Sequence, residues 1–155
     1  MPVERVLRAE KIAHEAGVYV ILNPAPACHL PDDLFGYISL ITPNQTESAL
    51  LSGVEDNLDA AVERLMQLGV KDVVVTLGSK GSLVISEGTR TLVPSLKVKA
   101  VDTTAAGDTF CGALCVALSE GCSLVDAAGF ATKASALTVQ KMGAQDSIPF
   151  RSDIK

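Results

Sequence analysis

Asp72-Val73-Val74-Val75-Thr76-Leu77 runs directly into Gly78. A short, unbroken series of β-branched and apolar residues has no polar side to show to water and resists helix formation. Cut by a glycine, it predicts a strand covered on both faces, the kind found in parallel sheets between layers of helix. The rest of the chain supplies the alternation that such a sheet requires. Pro2 to about Ala16 reads as a helix with Pro in its first turn, apolar Val6, Leu7 and Ile12, and Gly17 beyond its end. Val18–Leu22 and Ile38–Thr42 read as further buried strands, closed by Asn23-Pro24-Ala25-Pro26 and by Pro43-Asn44. A short helix is predicted from Glu47 to Leu51. Asn57 then caps a helix carrying Leu58, Ala61, Val62, Leu65 and Leu68 along one face, with Gly69 just past it.

Ser82–Ser86 and Arg90–Val93 flank Glu87-Gly88 as a hairpin, and Lys97–Val101 reads as a last strand. Gly107–Ser119 is apolar nearly all round, which predicts a buried helix with its N-terminus aimed into the protein. Ser123 and Asp126 form a capping-box pattern that opens an Ala-rich helix to about Lys141. No repeats, low-complexity tracts or linkers interrupt this order. The expectation is one domain over residues 1–155, an α/β fold with a mainly parallel sheet covered on both faces. In such sheets ligands bind beyond the carboxyl ends of the strands. Pro43–Glu47, Gly78–Gly81 and Ala105–Asp108 each follow a predicted strand, so they are expected to converge on one edge.

Composition removes several classes of function. A formal charge of −5, with no block of Lys or Arg, argues against a nucleic-acid binder. No apolar run reaches the roughly 18–20 residues that cross a bilayer, and the N-terminus does not read as a secretory signal. Cys28, Cys111, Cys115 and Cys122 show no CxxC spacing, and only His14 and His29 could assist them, so neither structural zinc nor a disulfide is expected. These features point to a cytoplasmic protein.

The chemistry concentrates in Asp102-Thr103-Thr104-Ala105-Ala106-Gly107-Asp108. Small residues at a helix start leave backbone N–H groups approachable, and the helix dipole makes that end attractive to an anion. Asp108 places a carboxylate where a general base would stand, although a charge-complementing role at the helix start explains it equally well. Gly78-Ser79-Lys80-Gly81 can wrap phosphate with backbone donors or serve as a plain turn. It is not a P-loop, since the spacing differs and no helix follows. Asn44 and Glu47 can hold phosphate and a Mg²⁺ shell, or form a capping box and nothing more.

Taken in order, these segments resemble the ribokinase family of PfkB-type carbohydrate kinases. Asp102–Asp108 is similar to that family's Asp-Thr-x-Gly-Ala-Gly-Asp signature, with Ala105 where many members carry Gly. Asn23-Pro24-Ala25-Pro26-Ala27, Gly143-Ala144-Gln145 and Ser147 extend the likeness along essentially the whole chain. The resemblance implies a three-layer α/β/α ribokinase-like, Rossmann-like fold, truncated on its N-terminal side. It implies Asp108 as the base that deprotonates the sugar hydroxyl, with Ala105, Ala106 and Gly107 as an anion hole. Asn44 together with Thr76, Leu77, Gly78, Ser79, Lys80 and Gly81 would hold ATP. Thr132 stands where the family often places a His or Asn beside adenosine. Glu47 would organise Mg²⁺. A K⁺ site would map to the side chains of Asp102 and Ser147 and to the backbone of Thr104, Val139, Met142 and Gly143. The side chains of Lys80, His14 and His29 read as solvated surface groups.

Members of the family are about twice as long, and the half that corresponds to no part of this chain carries nearly all the sugar contacts and the lid. The remaining sheet would expose an edge that a complete protein pairs. The leading expectation is ATP-dependent phosphorylation of a sugar, D-ribose to D-ribose 5-phosphate, with this chain supplying the ATP site, anion hole and base. A kinase for another sugar or a nucleoside, or a non-catalytic ATP-binding fragment, is the alternative. The family also leaves a homodimer of the complete protein open. A Rossmann dehydrogenase fares badly, because no Gly-x-Gly-x-x-Gly follows an early strand.

Overall fold

The computed structural model describes residues 2–154. Its strands are β1 (Ile21–Leu22), β2 (Leu40–Ile41), β3 (Asp72–Thr76), β4 (Ser82–Ser86) and β5 (Thr89–Val93), in one sheet of that order. β1, β2 and β3 pair in parallel, with Ile21 beside Leu40 and Ile41 beside Val73. The helices are α1 (Val3–Glu15), α2 (Gln45–Ser52), α3 (Leu58–Gln67), α4 (Ala106–Ser119) and α5 (Leu124–Thr138). Among the described residues, no helix is long and apolar enough to cross a membrane.

The chain divides into two compact units, one running to Val75 and including Ile85–Thr89, the other comprising Thr76–Val84 and Arg90 onward. The first has its core in Leu34, Phe35, Ile38, Leu40, Ile41, Val62, Leu65 and Val73–Val75, all essentially inaccessible to water. The valine run behaves as its composition demands. Predicted strands Val18–Leu22 and Ile38–Thr42 are each cut to two residues: Val18 and Tyr19 are half exposed, and Val20 bonds instead to the Ser39 hydroxyl. A 3₁₀ segment at Asp32–Tyr37, with no sequence forecast, buries Leu34 and Phe35.

In the second unit α4 packs extensively on α5. Ala127, Ala128, Ala131 and Ala134 are fully buried on α5, consistent with small side chains allowing close approach. Two expectations fail here. Lys97–Val101 forms no strand, so the Asp102 segment follows an irregular stretch anchored when Val101 and Asp102 donate to the Val139 carbonyl. α4 is buried along one face only, through Thr109, Phe110, Ala113, Leu114 and Ala117, while Val116 is exposed. α5 ends at Thr138, three residues short of the predicted Lys141.

The hairpin between β4 and β5 turns at Glu87 (φ 50°) and Gly88 (φ 75°). Positive φ at both positions matches the twist of paired strands, and glycine adopts it without strain at the second.

Candidate active site

Three of the five helices carry a side-chain cap at their start, whereas α1 and α4 do not. Asn44 accepts from the Glu47 amide at 2.8 Å while Glu47 accepts from the Asn44 amide at 2.8 Å, a complete capping box on α2. Asn57 caps α3 through the Ala60 amide, and Ser123 caps α5 through the Asp126 amide. α4 has no side-chain cap. Its N-cap is Ala105, held in the left-handed region at φ 60°. A non-glycine residue pays about 1–2 kcal/mol for that conformation, so the surroundings must enforce it.

They do so from two sides. The Asp102 carboxylate accepts from the Thr104 amide at 2.9 Å and from the Gly143 amide at 3.0 Å, tying the segment before α4 to the loop after α5. Hydrogen bonds from Thr104 first, and then from Gly143, hold the Asp102 carboxyl below its usual range, so it is ionised at neutral pH. On the other side the Ser135 hydroxyl donates to the Ala106 carbonyl at 3.1 Å, and the Thr138 hydroxyl donates to Thr109 at 3.1 Å in the buried helix seam. The sequence does not single out Ser135 or Thr138 for this role, and it points to Gly143 only through its resemblance to the family. The only signal was hydroxyls on the small-residue side of an Ala-rich helix.

Within this frame the Ala106 amide turns back to the Thr103 carbonyl at 3.2 Å, so of the three residues expected as an anion hole Ala106 is corrected: its amide is already engaged. The amides of Ala105, Gly107 and Asp108 make no hydrogen bond to other described residues. Gly107 and Asp108 are exposed, so this helix start opens to solvent in the chain; the expectation of an N-terminus aimed into the protein is corrected. A cluster of open N–H groups, the positive end of a 14-residue helix and an adjacent carboxylate can bind an oxyanion and accept a proton beside it.

Gly78–Lys80 forms a 3₁₀ turn after β3. Leu77 donates to Gly81, Lys80 to Leu77 and Gly81 to Gly78, leaving the amides of Gly78 and Ser79 without such bonds among the described residues. Gly81 has φ 104°, and a Cβ there would collide with the Val93 carbonyl, so packing alone requires this glycine. Thr76 and Leu77 are half-buried. Thr132 is buried and donates its hydroxyl to the Ala128 carbonyl at 2.8 Å, a bond internal to α5.

The residues mapped to a monovalent cation all lie in the second unit. The fully buried Ser147 donates to Ala144 at 2.6 Å, which leaves its oxygen lone pairs available. Val139 is a poorer fit, because its carbonyl already accepts from two amides, at 2.7 and 3.2 Å. Met142 is exposed. Among the described residues, no group of three or more His, Cys, Asp and Glu side chains forms a metal cluster, and no disulfide joins the cysteines. A cavity of about 830 Å³ lies between α2 and α3 in the first unit; Gln45 and Thr46 line it, but Asn44 and Glu47 do not.

The uncapped start of α4 suits one class of ligand, an anion such as phosphate. Comparison with known proteins narrows it. Residues 1–151 match the model for the pfkB family carbohydrate kinases. The ribokinase of Schizosaccharomyces pombe is 46% identical over 96% of this chain and 49% of its own length. The ribokinase of Staphylococcus aureus is 42% identical over 99% of this chain and 52% of its own length. Among solved structures, Thermotoga maritima ribokinase superposes with a TM-score of 0.93 at 42% identity, covering 99% of this chain and 52% of that one. Arabidopsis thaliana ribokinase, solved with ribose and ATP, also gives 0.93, at 37% identity, covering 99% of this chain and 51% of that one. The chain belongs to the pfkB family of carbohydrate kinases, and its fold is ribokinase-like. It spans about half the length of the relatives it matches.

Proposed function

We propose that this chain supplies the phosphoryl-transfer half of an ATP-dependent sugar kinase whose acceptor is D-ribose, giving D-ribose 5-phosphate. The observation that carries the reading is the uncapped start of α4, with open amides at Ala105, Gly107 and Asp108. The relatives' ribokinase identity supports the sugar.

In this mechanism Asp108 takes the proton from the sugar hydroxyl as that oxygen attacks the γ-phosphorus of ATP. The bond from that phosphorus to the bridging oxygen breaks, and ADP leaves. Charge spread over the transferred phosphoryl oxygens is met by the open amides, whose fixed direction costs no reorganisation during reaction. Removing one such donor typically costs about 10²–10³ in rate. Gly78 and Ser79 offer two further amides to the ATP phosphates, together with Asn44 and the backbone of Thr76–Gly81. Thr132 would meet the nucleotide by packing, since its hydroxyl is engaged.

Glu47 accepts one hydrogen bond through a single carboxylate oxygen, so its other oxygen is free to hold a water of a Mg²⁺ shell. Asp102, Ser147 and the carbonyls of Thr104, Met142 and Gly143 are hard oxygen donors suited to K⁺, with Val139 the weakest member. These ions would supply charge neutralisation at the phosphates and at the loop before Asp108.

The sugar contacts, lid and any dimer interface would come from the other half of a family-length protein. Holding two reactants in register is worth about 7–11 kcal/mol in favourable cases, so the chain by itself is expected to bind ATP and turn over poorly. Sugar-dependent ADP release with ribose, ATP, Mg²⁺ and K⁺, measured on a family-length protein containing this half, tests the reading. ATP binding with no sugar-dependent ADP would favour a non-catalytic nucleotide-binding module, and a rate with another pentose or a nucleoside far above that with ribose would reassign the substrate.

A further inference from the structure

α1 presents Val3, Val6, Leu7, Glu10 and Ala13 inward, spaced as one helical stripe. Glu10 is the anomaly: it is the most buried residue of that helix, only 7% exposed, and its Oε2 has no hydrogen-bond partner. The element in most extensive contact with α1 is the 3₁₀ segment Asp32–Tyr37. It brings Asp32, Asp33 and Tyr37 as titratable groups, and both aspartates are exposed. On α1 itself Glu4, Arg5, Arg8, Lys11 and Glu15 are exposed. His14, one turn beyond Glu10, sets its ring edge-on to Tyr37 at 5.6 Å between centroids. No ion pair to Glu10 occurs among the described residues.

A carboxylate without a partner in an apolar seam is costly, whereas a neutral carboxyl is tolerated. We propose that Glu10 makes the α1 seam a pH-sensitive latch, closed while its carboxyl is protonated and loosened once it ionises. Burial alone raises the Glu10 carboxyl to about 7 from 4.5. Opening exposes it to water, where its ordinary value returns. The closed seam therefore holds more protons than the open one throughout that interval. Opening should rise by up to about tenfold per pH unit between 4.5 and 7, then level off.

Hydrogen exchange of α1 amides in the full chain tests this, corrected for the intrinsic pH dependence of exchange. Wild-type protection should fall more than about tenfold from pH 5.5 to 7.5, while Glu10→Gln should change less than twofold. His14→Gln should keep the wild-type response. The latch is overturned if Glu10→Gln retains the fall or His14→Gln abolishes it. A carbon-detected titration of the Glu10 carboxyl in the unmutated chain provides a readout independent of variant folding, and a midpoint near 4.5 would also overturn it.

Discussion

The starts of α2 and α4 look alike in sequence and differ in bonding. Both carry small or polar residues before an acidic side chain in the first turn, Glu47 in one and Asp108 in the other. α2 closes on itself, because Asn44 and Glu47 satisfy each other's amides. α4 is left open, because Ala105 has no side chain able to cap and its left-handed backbone is imposed by Asp102 and by the packing of α5. Capping typically contributes about 1 kcal/mol to stability; α4 forgoes it and leaves its first donors open. At α4, then, the acid takes no part in a capping box, while at α2 it is a structural partner.

The largest effect that separates the two starts should come from Asp108→Ala in a family-length protein. Loss of a general base lowers turnover by about 10²–10⁴-fold, with ATP affinity kept within a few-fold, as steady-state kinetics and calorimetry will show. Normal turnover would remove Asp108 from the base role and make the two acids equivalent.

Next in size is the brace. Asp102→Asn keeps the shape but weakens the charge that draws the Thr104 and Gly143 amides together. We expect about a tenfold loss of activity and a weakened response to replacing K⁺ by Na⁺, measured as rate against cation concentration. Because the folded Asp102 carboxyl titrates below its ordinary 3.8, its contribution is complete above that value and is lost as pH falls through the lower folded one. The brace should therefore hold unchanged across neutral pH. A variant as active and as cation-responsive as wild type would dissociate Asp102 from the open start of α4.

Ala105→Val is smaller and acts on backbone conformation. A β-branched residue at φ 60° is strained where alanine is merely disfavoured. Thermal unfolding should show about 1–2 kcal/mol of destabilisation, with Ala105→Gly near neutral. Equal stability of the valine variant would mean that the left-handed turn is not required.

How far the sequence foretells this arrangement depends on the range of the interactions. The valine run of β3, the helix caps at Asn44, Asn57 and Ser123, and the Glu87-Gly88 turn are local, and all of them appear. The shortened strands at Val18 and Ile38, and the loop where a strand was expected at Lys97, depend on distant partners such as Ser39 and Val139. At the site, the small residues and Asp108 were visible as a motif. The Asp102–Gly143 bond spans 41 positions, and no local pattern announces it. Glu10 carries no signal in the sequence, because a carboxylate within a helical stripe reads as surface until its burial is known.

The finest test concerns Glu47, where the two starts are hardest to tell apart. Its capping role needs only an acceptor at the third helical position, which glutamine also provides. Glu47→Gln should therefore leave unfolding free energy within about 0.5 kcal/mol of wild type, whereas Asn44→Ala should lose about 1 kcal/mol by removing the cap itself. A Mg²⁺ role needs the negative charge, so the same Glu47→Gln in a family-length protein should raise the Mg²⁺ concentration for half-maximal rate several-fold. Unchanged stability with an unchanged Mg²⁺ requirement would confine Glu47 to the cap. The mirror result, stability lost and the requirement intact, would show that its charge serves the positive end of α2 rather than the metal. Only the combination of preserved fold and weakened Mg²⁺ response would make α2 a helix start whose acid works on a ligand, as proposed for α4.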